Sequence, residues 1–190
     1  MPANLVSDED CKQLAAKLAA LEPKLHILFN NAGATWGSNS YEEHPESAWN
    51  KIFSLNVFSP FHLTRALLPQ LEAAATDDDW ARVINIGSVA GLTTSRFDNA
   101  PAYAASKSSV IHLSRHQAIQ LAERSTHSAL FFIHTFLCNF LIRAVFAIEI
   151  SVNCIAPGVF PSRMATFLTD EVRSEATLST IPMGTSRLFS

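Results

Sequence analysis

The first third of the chain shows one helical and one strand-like pattern of apolar residues. Apolar residues recur at helical spacing after Ser7, at Cys11, Leu14, Leu18 and Leu21. Acidic residues fill positions 8–10, which together with Ser7 is typical of a capped helix start, and we expect Pro23 to end the helix. The apolar run 25–29 leads into the Asn-Asn-Ala-Gly sequence at 30–33, which predicts a buried strand followed by a turn.

A long helical pattern occupies 46–71. Pro60 lies inside it, and we expect this residue to kink the helix or to split it in two, because proline has no N–H donor and clashes with the preceding turn. Pro69 is expected to disturb the last turns of the same pattern.

Strands and long helices alternate in the remainder of the chain. The runs 82–88 and 150–155 predict strands, and 101–121 predicts an amphipathic helix between them. This alternation predicts an α/β fold, a Rossmann-like parallel sheet with helices on both faces. Ligands of such sheets bind beyond the carboxyl ends of the strands. Three motifs lie at or just past predicted strand ends: Asn30, Ser88 and Pro157-Gly158.

Composition narrows the class of protein. The 190 residues are 48% hydrophobic and 16% charged, which predicts a single globular domain. A net charge of -3, with Lys and Arg scattered, gives no basic surface for nucleic acid. The three cysteines form no C-x-x-C pair and the seven histidines no ligand motif, so we expect free thiols and no metal. The first residues show no signal-peptide pattern, and we expect a cytoplasmic protein.

Tyr103 and Lys107 are four residues apart on a predicted helix, so their side chains share a face. An ammonium group beside a tyrosine favours the phenolate, which suits the tyrosine for proton transfer to or from a carbonyl oxygen. Ser88, at the end of the preceding strand, could donate a hydrogen bond to the same oxygen. A Y-x-x-x-K pair alone is a weak signal, because surface pairs with this spacing are common.

The motif becomes specific through its neighbours. Five motifs occur in order along the chain: Asn30-Asn31-Ala32-Gly33, Ser54-Leu55-Asn56-Val57, Ile86-Gly87-Ser88, Tyr103-Ala104-Ala105-Ser106-Lys107 and Asn153-Cys154-Ile155-Ala156-Pro157-Gly158. This order resembles the short-chain dehydrogenase/reductase family over about residues 4–184, with one interruption.

The resemblance implies a catalytic tetrad of Asn56, Ser88, Tyr103 and Lys107. By this resemblance, Asn56 holds a water molecule that links the lysine to solvent, and Lys107 also holds the nicotinamide ribose hydroxyls. Structural interpretations remain open for two of these residues: Asn56 could only pin the kinked helix, and Ser88 could only form the turn after the strand.

The resemblance also implies a set of cofactor-binding residues. They would lie beside the adenine, along the adenosine half and over the nicotinamide of the cofactor. The residues are Asn4, Leu5, Asn31, Ala32, Gly33, Tyr103, Lys107, Pro157, Gly158 and Ser162. A glycine at position 33 would let the backbone approach a ligand closely. Asn4 stands where the family usually has aspartate.

Within the family, residues 30–37, 84–91 and 160–164 look most similar to 3-oxoacyl-thioester reductases of the rhamnolipid type. This resemblance implies NADP as cofactor, a small carbonyl or alcohol compound as substrate and assembly into homo-oligomers. NAD remains an alternative, because the residues that would distinguish the two cofactors are not recognisable. The substrate inference is weaker than the reaction inference, because family members change substrate through their loops.

The sequence departs from the family pattern in two places. The glycine-rich turn that holds a dinucleotide pyrophosphate is not found before Asn4, and we expect an incomplete domain over 1–190 that lacks the first two strands and the last strand of the family fold. Residues 125–149 form an atypical apolar insertion where the family has a short loop.

Three interpretations of the whole chain follow. The first is an NADP(H)-dependent ketone reductase, and the second is a catalytically inactive fragment that keeps only interaction surfaces. The third is a membrane-tethered reductase that uses 129–148, although Arg143 would be unfavourable inside a bilayer.

For residues 125–149 we favour the hypothesis that they are a translated non-coding segment, because their removal restores the family pattern.

Overall fold

The computed structural model describes residues 2–38, 40–76, 78–93, 99–122 and 150–158. Its sheet has three parallel strands in the order β1 (Ile27–Asn30), β2 (Ala81–Ile86) and β3 (Ile150–Ile155). All three strands are parallel, so their carboxyl ends meet at one edge, which is where ligand sites form in such sheets. The expected α/β fold with a parallel sheet is confirmed. The insertion 125–149 and Ser162 lie outside the described residues.

Helix α1 (Asp8–Ala19) begins where its capping pattern predicts. The Asp10 N–H donates to the Ser7 hydroxyl at 3.1 Å, and the Asp10 carboxylate accepts from the Ser7 N–H at 3.3 Å. This reciprocal pair satisfies two of the donors that a helix start leaves unpaired. The expected end at Pro23 is wrong, because the helix stops at Ala19 and Leu21 is 73% exposed, with no core partner to extend the apolar face.

The long helical pattern is divided into three helices, with one break just before Pro60, where a split was expected, and a second just before Pro69, where a disturbance was expected. Helices α2 (Glu46–Phe53), α3 (Ser59–Ala66) and α4 (Leu68–Ala74) follow one another, with a π-helical segment, Ser54–Phe58, between α2 and α3. Pro60 cannot donate to the carbonyl of Asn56, four residues earlier, so the wider helical turn lies where the ordinary hydrogen bond is impossible.

One face of the sheet carries the hydrophobic core. Helix α5 (Pro101–Ala122) contacts β2 and β3, and α4 contacts β2. The main core cluster joins residues of α1, α3, α4, α5 and the sheet: Cys11, Ala15, Leu28, Leu63, Leu67, Leu68, Leu71, Ala81, Val83, Leu121 and Ile150. Because side chains alternate along a strand, Leu28 and Val83 point into this core and Phe29 points to the opposite face.

The opposite face of the sheet is open in the described part of the chain. Ile27 and Phe29 are 47% and 57% exposed, so the described helices cover a single face, and a second helical layer is not among the described residues. The described residues up to Pro157 belong to one compact unit, and Gly158 belongs to a second one. No described helix combines the length and apolar character needed to cross a bilayer.

Candidate active site

Ser88 lies just after β2, at the carboxyl edge of the sheet. Its hydroxyl accepts from the Ala90 N–H at 3.2 Å and so caps a short 3-10 helix, Val89–Gly91. The end of β3 and the backbone after it hold this segment: the Gly87 N–H donates to the Ile155 carbonyl at 2.7 Å, and the Val89 N–H donates to the Pro157 carbonyl at 2.9 Å. The Ser88 hydroxyl keeps its own proton available for donation, because it acts as an acceptor towards Ala90.

Gly91 allows the 3-10 helix to contact α5 directly. A Cβ at Gly91 would lie 2.6 Å from both the carbonyl carbon of Lys107 and the nitrogen of Ser108. Backbone atoms cannot move aside as a flexible side-chain end can, so no residue larger than glycine fits at this contact. The contact therefore fixes the Ser88 segment against the helix that carries Tyr103 and Lys107.

Lys107 is buried beside Tyr103, as their spacing predicts. Its Nζ atom lies 5.7 Å from the centroid of the Tyr103 ring and donates to the Ile86 carbonyl at 2.7 Å, at the end of β2. The residue is only 5% exposed, and burial lowers the pKa of the ammonium, with a smaller opposing effect from Cys154. An ammonium has three donors, so one hydrogen bond to Ile86 leaves donor capacity for a ligand.

The side chain of Asn56 is fully used in hydrogen bonds to its surroundings. Its Oδ1 accepts from the Ala34 N–H at 2.8 Å, and its Nδ2 donates to the Ala34 carbonyl and to the Ser106 hydroxyl, both at 2.9 Å. We call Asn56, Ser106 and the Ala34 backbone the Asn56 cluster. The side chain of Asn56 thus links the turn after β1 to α5, and the role of Asn56 in a proton relay stays a prediction.

Gly33 lies in the turn after β1, beside Asn56 and Lys107. A Cβ at Gly33 would lie 3.2 Å from Asn56 Oδ1 and 3.6 Å from Lys107 Nζ. The missing side chain leaves space beside the lysine ammonium, which is the close approach that a ligand along this turn would need. Sequence motifs 23 to 74 residues apart therefore meet at one point.

The other sequence-predicted cofactor residues have weaker structural support. Asn31 and Ala32 are exposed on the same turn as Gly33, and Pro157 is partly buried beside Val89. Asn4 precedes α1 and donates to the Asp10 carboxylate at 3.1 Å, and the described contacts link Asn4 and Leu5 to α1 and not to the Asn56 cluster. Gly158 is exposed.

Sequence reasoning missed a second buried amide cluster. Asn30 Nδ2 donates to Thr64 Oγ1 at 3.0 Å and to Asn85 Oδ1 at 2.8 Å, and Asn85 Nδ2 donates to Ser114 Oγ at 2.8 Å and to Gln117 Oε1 at 3.0 Å. These five residues, which we call the Asn85 cluster, join β1 and β2 to α3 and α5, and all are buried. The available signal was Asn85 itself, a polar residue on the inward face of a strand, which must find partners.

The chain is similar to proteins of known family. A profile of the family described as short chain dehydrogenase matches residues 1–128. The chain is 38% identical over 185 residues to a rhamnolipids biosynthesis 3-oxoacyl-acyl-carrier-protein reductase of Pseudomonas aeruginosa, covering 97% of this chain and 62% of that protein. It is 31% identical over 188 residues to nodulation protein G of a Rhizobium species, covering 97% of this chain and 64% of that protein.

Two solved structures show the same fold. The RhlG/NADP active-site complex of Pseudomonas aeruginosa has a TM-score of 0.77 at 38% identity, with 97% of this chain and 62% of that one covered. A short-chain dehydrogenase from Streptomyces avermitilis has a TM-score of 0.61 at 28% identity, with 85% and 48% covered. The chain spans about three fifths of the length of the curated relatives described above. By its ordered motifs, its parallel sheet and its matched residues, this chain belongs to the short-chain dehydrogenase family.

Proposed function

We propose that the chain is an oxidoreductase that uses NADP to reduce a ketone of the 3-oxoacyl type to an alcohol. The observation that carries this proposal is the buried Lys107 ammonium, held by the Ile86 carbonyl at 5.7 Å from the Tyr103 ring and beside the Ser88 segment. A curated protein and a solved structure, both from Pseudomonas aeruginosa and both 38% identical, support it through their names, a 3-oxoacyl-acyl-carrier-protein reductase and an NADP active-site complex. Both statements describe those proteins, and their extension to this chain is our proposal.

The residues present fit a nicotinamide nucleotide. Gly33 leaves open the space beside Lys107 Nζ that a Cβ would otherwise occupy. The lysine has donor capacity beyond its bond to Ile86, which suits ribose hydroxyl groups as ligands. Lys107, Tyr103, Gly33 and the exposed Asn31 and Ala32 would hold the cofactor, together with Pro157, Gly158 and Ser162 by resemblance, and Asn4 and Leu5 on the adenine side. NAD is the alternative ligand.

The bound cofactor would supply a hydride to the carbonyl carbon. Tyr103 donates its phenolic proton to the carbonyl oxygen, which completes the alcohol. Ser88 donates a hydrogen bond to the same oxygen and stabilises the negative charge that develops there. Lys107 stabilises the resulting phenolate by its positive charge, and burial strengthens this attraction because little water screens it.

Asn56 would contribute to proton resupply through its backbone. Its side-chain amide already binds Ala34 and Ser106, so a water molecule held by Asn56 would bind the main-chain carbonyl. Pro60, four residues later, has no N–H to donate to this carbonyl. The π-helical segment therefore suits a relay from solvent towards Lys107.

We also propose that the working enzyme is a homo-oligomer in the cytoplasm. The first statement rests on the family resemblance of the chain, and the second on the expected free thiols, which suit a reducing compartment. Analytical ultracentrifugation of the purified protein tests the first, and a strictly monomeric species would contradict it.

The reaction is tested by following NADPH absorbance with a 3-oxoacyl thioester and identifying the 3-hydroxy product. Tyr103→Phe removes the proton donor and keeps the ring, so we expect turnover to fall by about 100-fold or more while NADPH binding is retained. His116→Gln, on an exposed position of the same helix, is the matched control and should keep wild-type turnover. Turnover by Tyr103→Phe at the wild-type rate would contradict the proposed role.

A further inference from the structure

Two buried serines of α5 make the same kind of hydrogen bond, eight residues apart. The Ser106 hydroxyl donates to the Tyr103 carbonyl at 2.7 Å and accepts from Asn56 Nδ2 at 2.9 Å. The Ser114 hydroxyl donates to the Val110 carbonyl at 2.7 Å and accepts from Asn85 Nδ2 at 2.8 Å. Ser106 is 0% exposed and Ser114 3% exposed, so neither bond is replaced by solvent.

The single proton of the Ser106 hydroxyl favours the same orientation of the Asn56 amide as the Ala34 backbone does. This proton goes to the Tyr103 carbonyl, so the hydroxyl can only accept towards Asn56. The amide must therefore present its NH2 group to Ser106, which leaves Oδ1 to accept from the Ala34 N–H. A rotated amide would place Oδ1 against the Ala34 carbonyl, where two acceptors repel one another.

We propose that Ser106 is a positioning residue that couples the Gly33–Ala34 turn to the helix of Tyr103 and Lys107. The coupling runs from the Ala34 backbone through the Asn56 amide and the Ser106 hydroxyl to the Tyr103 carbonyl. Through it, the turn proposed to hold the cofactor keeps a fixed distance to the proposed proton donor. This inference rests on the proposed function, because the cofactor turn and the proton donor are parts of the proposed site. The coupling between them can be measured without turnover.

The direct readout is hydrogen exchange of the Ala34 amide, measured by NMR on the full chain. Ser106→Ala removes one of the two acceptors of the Asn56 NH2 group, the one that ties it to α5, so Ala34 exchange should accelerate by about tenfold or more. Ser114→Ala removes an equivalent acceptor from the Asn85 cluster and should change Ala34 exchange by less than about twofold once the global stabilities are matched. Ser106→Thr keeps the hydroxyl and should restore slow exchange. If Ser106→Ala does not fold, Ser106→Cys, whose thiol is a weak hydrogen-bonding group, gives the same test.

The kinetic readout separates positioning from folding. Ser106→Ala should lower kcat by about tenfold and leave the KM for the ketone within about twofold, whereas Ser114→Ala should leave both at wild-type values. Absence of turnover in the wild type would contradict the proposed function. The exchange of the Ala34 amide would then test by itself whether Ser106 couples the turn to α5. Unchanged Ala34 exchange in Ser106→Ala, or equal acceleration in both alanine variants, would overturn the proposal.

Discussion

The Asn56 and Asn85 clusters use the same chemistry for different ends. In each, an asparagine NH2 group donates to two acceptors, one of them a serine of α5. The outermost members of the Asn85 cluster are side chains in strands and helices, so the cluster joins β1 and β2 to α3 and α5. The Asn56 cluster ends on the backbone of Ala34, in a turn without regular structure. Only the Asn56 cluster thus ends on an irregular loop, and binding residues are more often found on loops than on the rigid elements that the Asn85 cluster joins.

The largest effect on stability is expected from Asn85→Asp, which replaces the NH2 group by a second acceptor in a side chain that is 0% exposed. Ser114 and Gln117 would each lose a donor, at about 1 to 3 kcal/mol for each unsatisfied group, so the free energy of unfolding should fall by about 2 to 6 kcal/mol. Urea unfolding measures this change. A loss below about 1 kcal/mol would show that the Asn85 cluster contributes little.

Gly91→Ala is expected to lower the free energy of unfolding by less. The disturbance should be confined to the contact between α5 and the Ser88 segment. The added methyl group would lie 2.6 Å from backbone atoms of Lys107 and Ser108. Overpacking of this kind costs about 1 to 3 kcal/mol, and the displaced Ser88 segment should also lower turnover. Gly37→Ala is the matched control, since its nearest neighbour would be the Asn99 carbonyl at 3.7 Å, an ordinary contact. Equal melting temperatures for the two variants would contradict the account.

The smallest effect is the pH dependence that Lys107 adds to the free energy of unfolding. The Asn85 cluster contains no ionisable side chain and adds no such dependence. Burial lowers the pKa of Lys107 in the folded protein below its ordinary value of 10.5. Between the lowered pKa and 10.5, unfolding takes up a proton, so this residue makes the free energy of unfolding rise with pH and fall as the pH is lowered. Lys107→Met should remove this slope, and urea unfolding from neutral pH to about 10.5 measures it. Parallel curves for wild type and variant would be inconsistent with a buried ammonium.

The sequence was sufficient to predict features that depend on neighbouring residues. The cap at Ser7, the division of the long helix at Pro60 and the pairing of Tyr103 with Lys107 all depend on residues within four positions of one another. Such features follow from local geometry, which is why spacing alone predicts them.

The two amide clusters were not predicted because their bonds join residues 22 to 55 positions apart. Ser106 and Ser114 look like ordinary helix serines, and no spacing rule shows which asparagine each will meet. Gly91 was missed for the same reason, since its need for a missing side chain depends on the backbone of Lys107 and Ser108 across the fold.

The central claim is that the turn at Gly33, Lys107 and Tyr103 form a site for a nicotinamide nucleotide. The most direct measurement is a titration of the purified chain with NADPH, followed by nicotinamide fluorescence. We expect a saturable change in fluorescence that is retained in Tyr103→Phe. In Gly33→Val the affinity should fall by about tenfold, because the valine side chain would fill the space beside Lys107 Nζ. Absence of a saturable change in the wild type would contradict it.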